Sequence, residues 1–303
     1  MAVKDGMADE ALGEEYPFED RYLTLADGFT MHYVEAGRAG LRRPTVLLLH
    51  GSPTWSYLYR HLVRPLSRVA RVVAVDTMGF GRSDHPTDPT YHSLERHVRN
   101  LEEFIDRLKL KRVVPVVQDW GGPIGLGWAT RHPDRVAGLV VMNTWAFARH
   151  GAPRLPLWFR VLRAPRVGEL VVGRRNAYVE QVLPRLLVAP TTREVMDAYR
   201  HPFPTPTSRT ALVAFARMVP DREGHPDWET MRDIEDGLER ITAPALILWG
   251  TKDPAFGKRY AHLFHEHLPA ATPPVWMEDG GHYLPEDLPG ELAARIQGFV
   301  RSL

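Results

Sequence analysis

At 303 residues, with 38 basic and 37 acidic side chains and no cysteine, the chain has the length of one large domain carrying an insertion, and a tandem of small modules is not expected. The missing cysteine excludes disulfides, thiolate-bound zinc, iron–sulfur clusters and thiol nucleophiles. A net charge of +1, without long blocks of one sign, leaves no electrostatic footprint for nucleic acid or anionic lipid.

In chain order, the first twenty residues are acidic and lack the basic and apolar regions of a signal peptide. No stretch approaches 18 uninterrupted apolar residues, and the longest, around Val136 to Ala148, is broken by Asn143 and Thr144. The expectation is a soluble, cytoplasmic chain. Two strand candidates follow, Arg21 to Leu25 and Thr30 to Ala36, joined by the Asp-Gly turn of Ala26 to Phe29 as an antiparallel edge hairpin. The runs Thr45 to Leu49, Val72 to Val75, Val113 to Val117 and Leu139 to Met142 are almost continuously apolar, as strands buried on both faces must be. Between them, Ser93 to Leu110 places Leu94, Val98, Leu101, Ile105 and Leu108 at helical intervals behind a Ser93 N-cap. Such alternation predicts a parallel sheet with right-handed crossovers.

From about Trp145 to Pro220 the rhythm becomes helical, rich in Arg and Pro, with no convincing strand. We therefore expect a core of residues 1–144 and 221–303 interrupted by a helical cap, 145–220. Beyond it come a strand at Pro244 to Trp249, a helix near Lys258 to Leu268, a last strand near Pro274 to Met277, and a C-terminal helix striped with Leu292, Ile296, Phe299 and Val300.

Chemistry gathers at strand ends. In Val116-Val-Gln-Asp-Trp-Gly-Gly-Pro-Ile-Gly125 a buried strand turns tightly into a helix, which projects Asp119 above the sheet near a helix N-terminus; the alternative is that Asp119 merely caps that helix. His50-Gly-Ser-Pro53 follows another strand, where backbone N–H groups after the glycine form half of an oxyanion hole, the N–H of Trp120 supplying the other half. Asp253 and His282 follow the last two strands. All four segments lie where open α/β sheets place ligands.

The order Asp119, Asp253, His282 resembles that of the α/β-hydrolase fold, here over essentially the whole chain. Within that fold, His50-Gly-Ser-Pro-Thr-Trp-Ser-Tyr-Leu-Tyr-Arg60 together with Gln118-Asp-Trp-Gly-Gly-Pro123 is similar to the haloalkane dehalogenases. The resemblance implies a mostly parallel eight-stranded sheet flanked by helices, with the cap inserted. It gives a scaffold role to Asp76 and Gly79-Phe-Gly-Arg-Ser-Asp84 and, with asparagine at 143, places the triad acid at Asp253.

A carboxylate is ionised at neutral pH and needs no base to displace a halogen, so Asp119 would form an alkyl ester and release halide. Neutral His282, oriented by Asp253, would then deprotonate water that attacks the ester carbonyl, with the oxyanion against the N–H groups of Ser52 and Trp120. The Trp120 indole is a fitting halide donor. For the second donor the resemblance implies an asparagine at position 52 or a cap tryptophan; the chain has Ser52, which leaves Trp145 and Trp158 as candidates, each otherwise an ordinary core aromatic. The reading is a dehalogenase acting on small haloalkanes with water, as monomer or dimer, and it calls for no cofactor, metal, nucleic acid or membrane. His262, His265, His267 and Glu266 read as a solvated helical face. Two alternatives stand beside it: an epoxide hydrolase with Tyr178 and Tyr199 as cap acids, and a non-hydrolytic ligand-binding member of the fold.

Overall fold

The computed structural model describes residues 15–38, 40, 43–151 and 157–303, without the side chain of Trp158. The acidic first residues up to 14 therefore lie outside the described residues, as do positions 152–156 of the expected cap.

Eight strands form one sheet: β1 (Asp20–Thr24), β2 (Thr30–Ala36), β3 (Thr45–Leu49), β4 (Arg71–Val75), β5 (Val113–Asp119), β6 (Leu139–Thr144), β7 (Ala245–Gly250) and β8 (Val275–Met277). Their spatial order is β1-β2-β4-β3-β5-β6-β7-β8. The β1–β2 hairpin joins β4 antiparallel, and every pairing from β4 onward is parallel. Every residue of β3, β5 and β6 is buried, which is why their sequences show no polar alternation. The observed bounds of β2 and β3 are those expected from the sequence, and the other strands differ by one or two residues at an end. The difference matters at β5 and β6, which continue through Gln118-Asp119 and Asn143-Thr144 into polar residues that apolar pattern alone would cut off.

Helices cover both faces. Helix α1 (Arg60–Ser67) packs on the C-terminal helix α11 (Pro289–Arg301); α2 (Leu94–Arg107) and α8 (Trp228–Gly237) pack on α3 (Gly121–Arg131). The Ser93 hydroxyl accepts from the N–H of Arg96, the expected N-cap. Helix α9 (Lys258–His267) lies against β7, and the short α10 (Leu284–Asp287) precedes α11.

Between β6 and α8 come α4 (Leu157–Arg163), α5 (Leu183–Leu186), α6 (Arg193–Arg200) and α7 (Thr210–Met218), with no strand among the described residues. Two stretches expected as plain helix, Glu169–Arg174 and Tyr178–Val182, are instead π-helical. No helix among the described residues is long and apolar enough to cross a membrane.

The register aligns the strand ends that carry the site. Leu49 pairs with Val117, Val117 with Val141, Met142 with Leu248, and Gly250 with Met277. The loops after β3, β5, β6, β7 and β8 thus open at one edge of the sheet, beneath the cap helices.

Candidate active site

Asp119 ends β5 at φ +49°, a left-handed conformation seldom adopted by a residue with a side chain, and the β5–β6 register shifts between Gln118 and Asp119. The N-cap of α3 is Trp120, and it receives no side-chain capping bond. The capping alternative for Asp119 is thereby corrected: its carboxylate is turned away, toward the loop after β3. There Oδ1 accepts the backbone N–H of Ser52 at 2.8 Å. The elbow depends on glycine. A Cβ on Gly51 would lie 2.1 Å from Asp119 Oδ1, one on Gly121 2.0 Å from the Leu49 carbonyl oxygen, and one on Gly122 1.8 Å from Thr144 Oγ1.

The second carboxylate oxygen, Oδ2, faces His282 Nε2 at 3.5 Å. On the far side of that ring, Nδ1 lies 2.9 Å from Asp253 Oδ2. Asp253 is no solvated loop acid. It is buried, and it also accepts from Asn143 Nδ2 at 2.8 Å and from the Ala255 N–H at 2.7 Å. Burial alone would lower the His282 pKa, but the charges and hydrogen bonds of Asp253 and Asp119 outweigh it and push it up to about 10.

Trp120 and Trp145 meet edge to face at 4.8 Å, Phe215 of α7 closes on Trp120 at 5.2 Å, and Trp145 stacks on Phe256 at 5.1 Å. The Nε1 of Trp145 is buried with no hydrogen-bond partner, and so is Ser52 Oγ. The two cap tyrosines part company. Buried Tyr178 lies close enough to Asp119 for that carboxylate to oppose its ionisation, whereas the Tyr199 hydroxyl donates to Glu286. The side chain of Trp158 lies outside the described residues.

Several groups that sequence reasoning did not place in the site support it. Gln118 Nε2 donates to the His282 carbonyl at 3.1 Å. Thr144 Oγ1 donates to the Asp119 carbonyl at 2.5 Å, and Asn143 Oδ1 accepts the N–H of Gly250 at 2.8 Å. Their position at the polar ends of β5 and β6 was the available signal. His50 proves structural, since its Nε2 accepts the N–H of Thr77 and Nδ1 donates to the Gly51 carbonyl. Asp76 fits its scaffold expectation: fully buried, it receives His32 Nδ1 at 2.7 Å, the Ser56 N–H at 2.7 Å and the Arg82 N–H at 2.9 Å. The α9 histidines disperse, with the His262 ring against Trp276 and His267 Nδ1 on the Leu263 carbonyl. No group of three or more His, Asp or Glu among the described residues is arranged to hold a metal.

Over residues 44–289 the sequence matches the alpha/beta hydrolase fold family. The chain is similar to a haloalkane dehalogenase of Mycobacterium marinum, 37% identical over 293 residues and covering 93% of each chain. It is also similar to a cis-3-alkyl-4-alkyloxetan-2-one decarboxylase of Shewanella oneidensis, 32% identical over 289 residues, 94% of this chain and 89% of the relative. Among solved structures, a haloalkane dehalogenase from Bradyrhizobium elkani superposes with a TM-score of 0.85 at 30% identity, over 94% of this chain and 97% of that one.

Proposed function

The chain belongs to the α/β-hydrolase fold family, in the haloalkane dehalogenase branch, and from that premise we propose that it cleaves carbon–halogen bonds by hydrolysis, beneath a cap spanning residues 145–220. The observation that carries the reading is a carboxylate on the strained elbow, 3.5 Å from a histidine that is itself paired to a buried aspartate. Asp119 Oδ2 attacks the carbon bearing the halogen and the halide leaves. Trp120 and the unpartnered indole N–H of Trp145 are the donors we assign to that halide. His282 then takes a proton from water as the water adds to the ester carbonyl, whose oxygen Oδ1 already sits on the Ser52 N–H. Collapse returns the carboxylate and releases the alcohol. The net change consumes haloalkane and water and yields alcohol, halide and a proton, with no cofactor or metal assigned a part.

A second reading rests on Ser52. A site with a serine hydroxyl where the resemblance expects an amide donor is less committed to halide, and one relative is named for a strained cyclic ester. Attack of Asp119 on the ring carbon of a β-lactone would break its C–O bond and leave a tethered carboxylate. Loss of that carboxylate as carbon dioxide would form the alkene and expel Asp119 without water. The epoxide alternative loses support because the hydroxyl of Tyr199 is committed to Glu286. The protein should be incubated separately with 1-iodobutane or 1,2-dibromoethane, with styrene oxide, and with a cis-3,4-dialkyl β-lactone, measuring halide, diol and carbon dioxide. Halide with alcohol is expected. Carbon dioxide without halide would establish the second reading, diol alone the epoxide one, and no product from any arm the non-hydrolytic one.

A further inference from the structure

A chain-wide charge of +1 hides an uneven spread. Residues 157–188 of the cap carry six arginines, two glutamates and no lysine, a net charge of +4 that leaves −3 for the rest of the chain. Both glutamates are neutralised from outside the segment, Glu169 by Arg217 and Glu180 by Arg200, each at 2.8 Å. Arg163 is engaged by Asp221 at 2.9 Å. The other five, Arg160, Arg166, Arg174, Arg175 and Arg185, are exposed, and none forms an ion pair among the described residues.

The same segment holds the exposed apolar surface. Six large apolar side chains are exposed among the described residues, and five of them lie here: Leu157, at 73%, Val161, Val167, Leu170 and Val188. Leu157, Arg160 and Val161 neighbour one another on α4 at helical intervals. Leu157 and Val161 border one concavity with Arg185 of α5, and Val171 and Leu186, next to Leu170 and close to Val188, border it too. Arg166 flanks Val167, and Arg174 and Arg175 stand one π-helical turn beyond Leu170. Apolar surface of this kind marks an interaction site, and the cations around it select the partner.

We propose that this rim of the cap docks on an anionic lipid surface, the apolar side chains entering the headgroup boundary and the arginines resting on lipid phosphates. A second copy of the chain seated by a two-fold on this face would set five unpaired arginines against their own duplicates. A nucleic acid would answer the arginines but leave the leucine and valine side chains in water. A bilayer satisfies both at once. Each basic side chain near an anionic membrane strengthens attachment about fivefold, and the negative remainder of the chain turns the cap toward the lipid. The inference is independent of the reaction assigned to Asp119.

The test is co-sedimentation of the full-length protein with vesicles of phosphatidylcholine alone and of phosphatidylcholine with about one third phosphatidylglycerol. Binding to the anionic vesicles should be at least about tenfold tighter, and should fall away as salt rises from about 0.1 M to 1 M and the Debye length shrinks from about 10 to 3 Å. Arg160→Gln with Arg166→Gln should weaken it about 25-fold, whereas Arg99→Gln with Arg295→Gln, which removes the same charge from α2 and α11, should change it less than about threefold. Leu157→Asn should weaken it at least about fivefold. All five altered positions are exposed, which keeps the variants folded. Equal binding to both vesicle types, or none to either, overturns the proposal. Equal weakening by the two arginine pairs reduces the attraction to net charge and overturns the patch. Unweakened binding of Leu157→Asn, or polyglutamate bound as tightly as the anionic vesicles, assigns the arginines to a soluble polyanion. A dimer in sedimentation velocity that dissociates in Leu157→Asn assigns the face to a second copy; either result overturns the lipid assignment.

Discussion

The two oxygens of Asp119 live in different surroundings: Oδ1 rests on the Ser52 N–H and Oδ2 faces the His282 ring. Alkylating Oδ2 removes one of the two negative charges that hold the imidazole protonated, so the histidine pKa, about 10 in the free protein, must fall as the ester forms. On the proposed mechanism the first step would thus prepare the base that the second one needs. His282→Phe leaves displacement possible and removes the base, whose contribution is typically 10²- to 10⁴-fold. One equivalent of halide, turnover reduced at least a hundredfold, and a peptide containing Asp119 heavier by the alkyl group are the expected results; unimpaired turnover would remove His282 from the mechanism. In the unaltered protein the ester fraction in the steady state, read by mass spectrometry after rapid quenching, should rise as pH is lowered, because only the second step needs neutral imidazole. At this scale Asp119, Asp253 and His282 were legible, since each follows an apolar run that ends at the ligand edge of a parallel sheet. Gln118, Asn143 and Thr144 were not, because their partners are distant in sequence: Gln118 meets His282, and Asn143 meets Asp253.

The histidine loop and the cap are tied into one unit by α10. Asp287 accepts the N–H of Gly281 through Oδ2 and those of Val188 and Ala189 through Oδ1, each at 2.8 Å. Next to it Glu286 joins Arg60 of α1 to Tyr199 of α6. A segment between α5 and α6 is therefore hydrogen-bonded to the loop that carries His282. Asp287→Ala strands three backbone donors, and we expect a loss of about 1–3 kcal/mol in urea unfolding, with kcat falling by a larger factor than KM rises because the imidazole loses its register. Equal changes in kcat and KM, or an unchanged kcat in Asp287→Ala despite the full loss of stability, would contradict the positioning role. The cap was the least legible part of the fold. Helical periodicity was visible over 145–220, but a π-helical turn shifts the period within a few residues, as at Glu169–Arg174 and Tyr178–Val182. The second of these begins at Tyr178, the phenol brought toward Asp119, and no apolar stripe announces that.

Across the whole molecule, cap and core also meet through buried histidines that must stay neutral. His92 and His97 stack at 5.4 Å, His97 lies 4.7 Å from Phe215 of α7, and Phe215 packs on Trp120. Burial lowers the pKa of His97 and of His50, and that of His92 to about 4. Groups whose folded pKa lies below the unfolded value, about 6.5 for histidine, contribute stability that is complete above that pH and is lost as pH falls through the folded value. His32 and His282 shift the other way, and both are protonated in folded and unfolded chains below about 6.5, so they do not offset the loss. Asp76, held down to about 2 mainly by His32 against the effect of burial, keeps its contribution until far lower pH. Acidification from pH 7 to pH 4.5 should therefore lower Tm by about 5 °C or more, in a window where histidines and not the paired carboxylates titrate. Because His97 bears on Phe215, the Trp120 pocket should loosen first, so the tryptophan emission of the folded protein should change at a pH above the global transition. His97→Gln, neutral at every pH, should start from a lower Tm at pH 7 and show a shallower decline. A Tm flat between pH 7 and 5, or a slope in His97→Gln equal to that of the unaltered chain, would show that the histidine pair does not link the cap to the core.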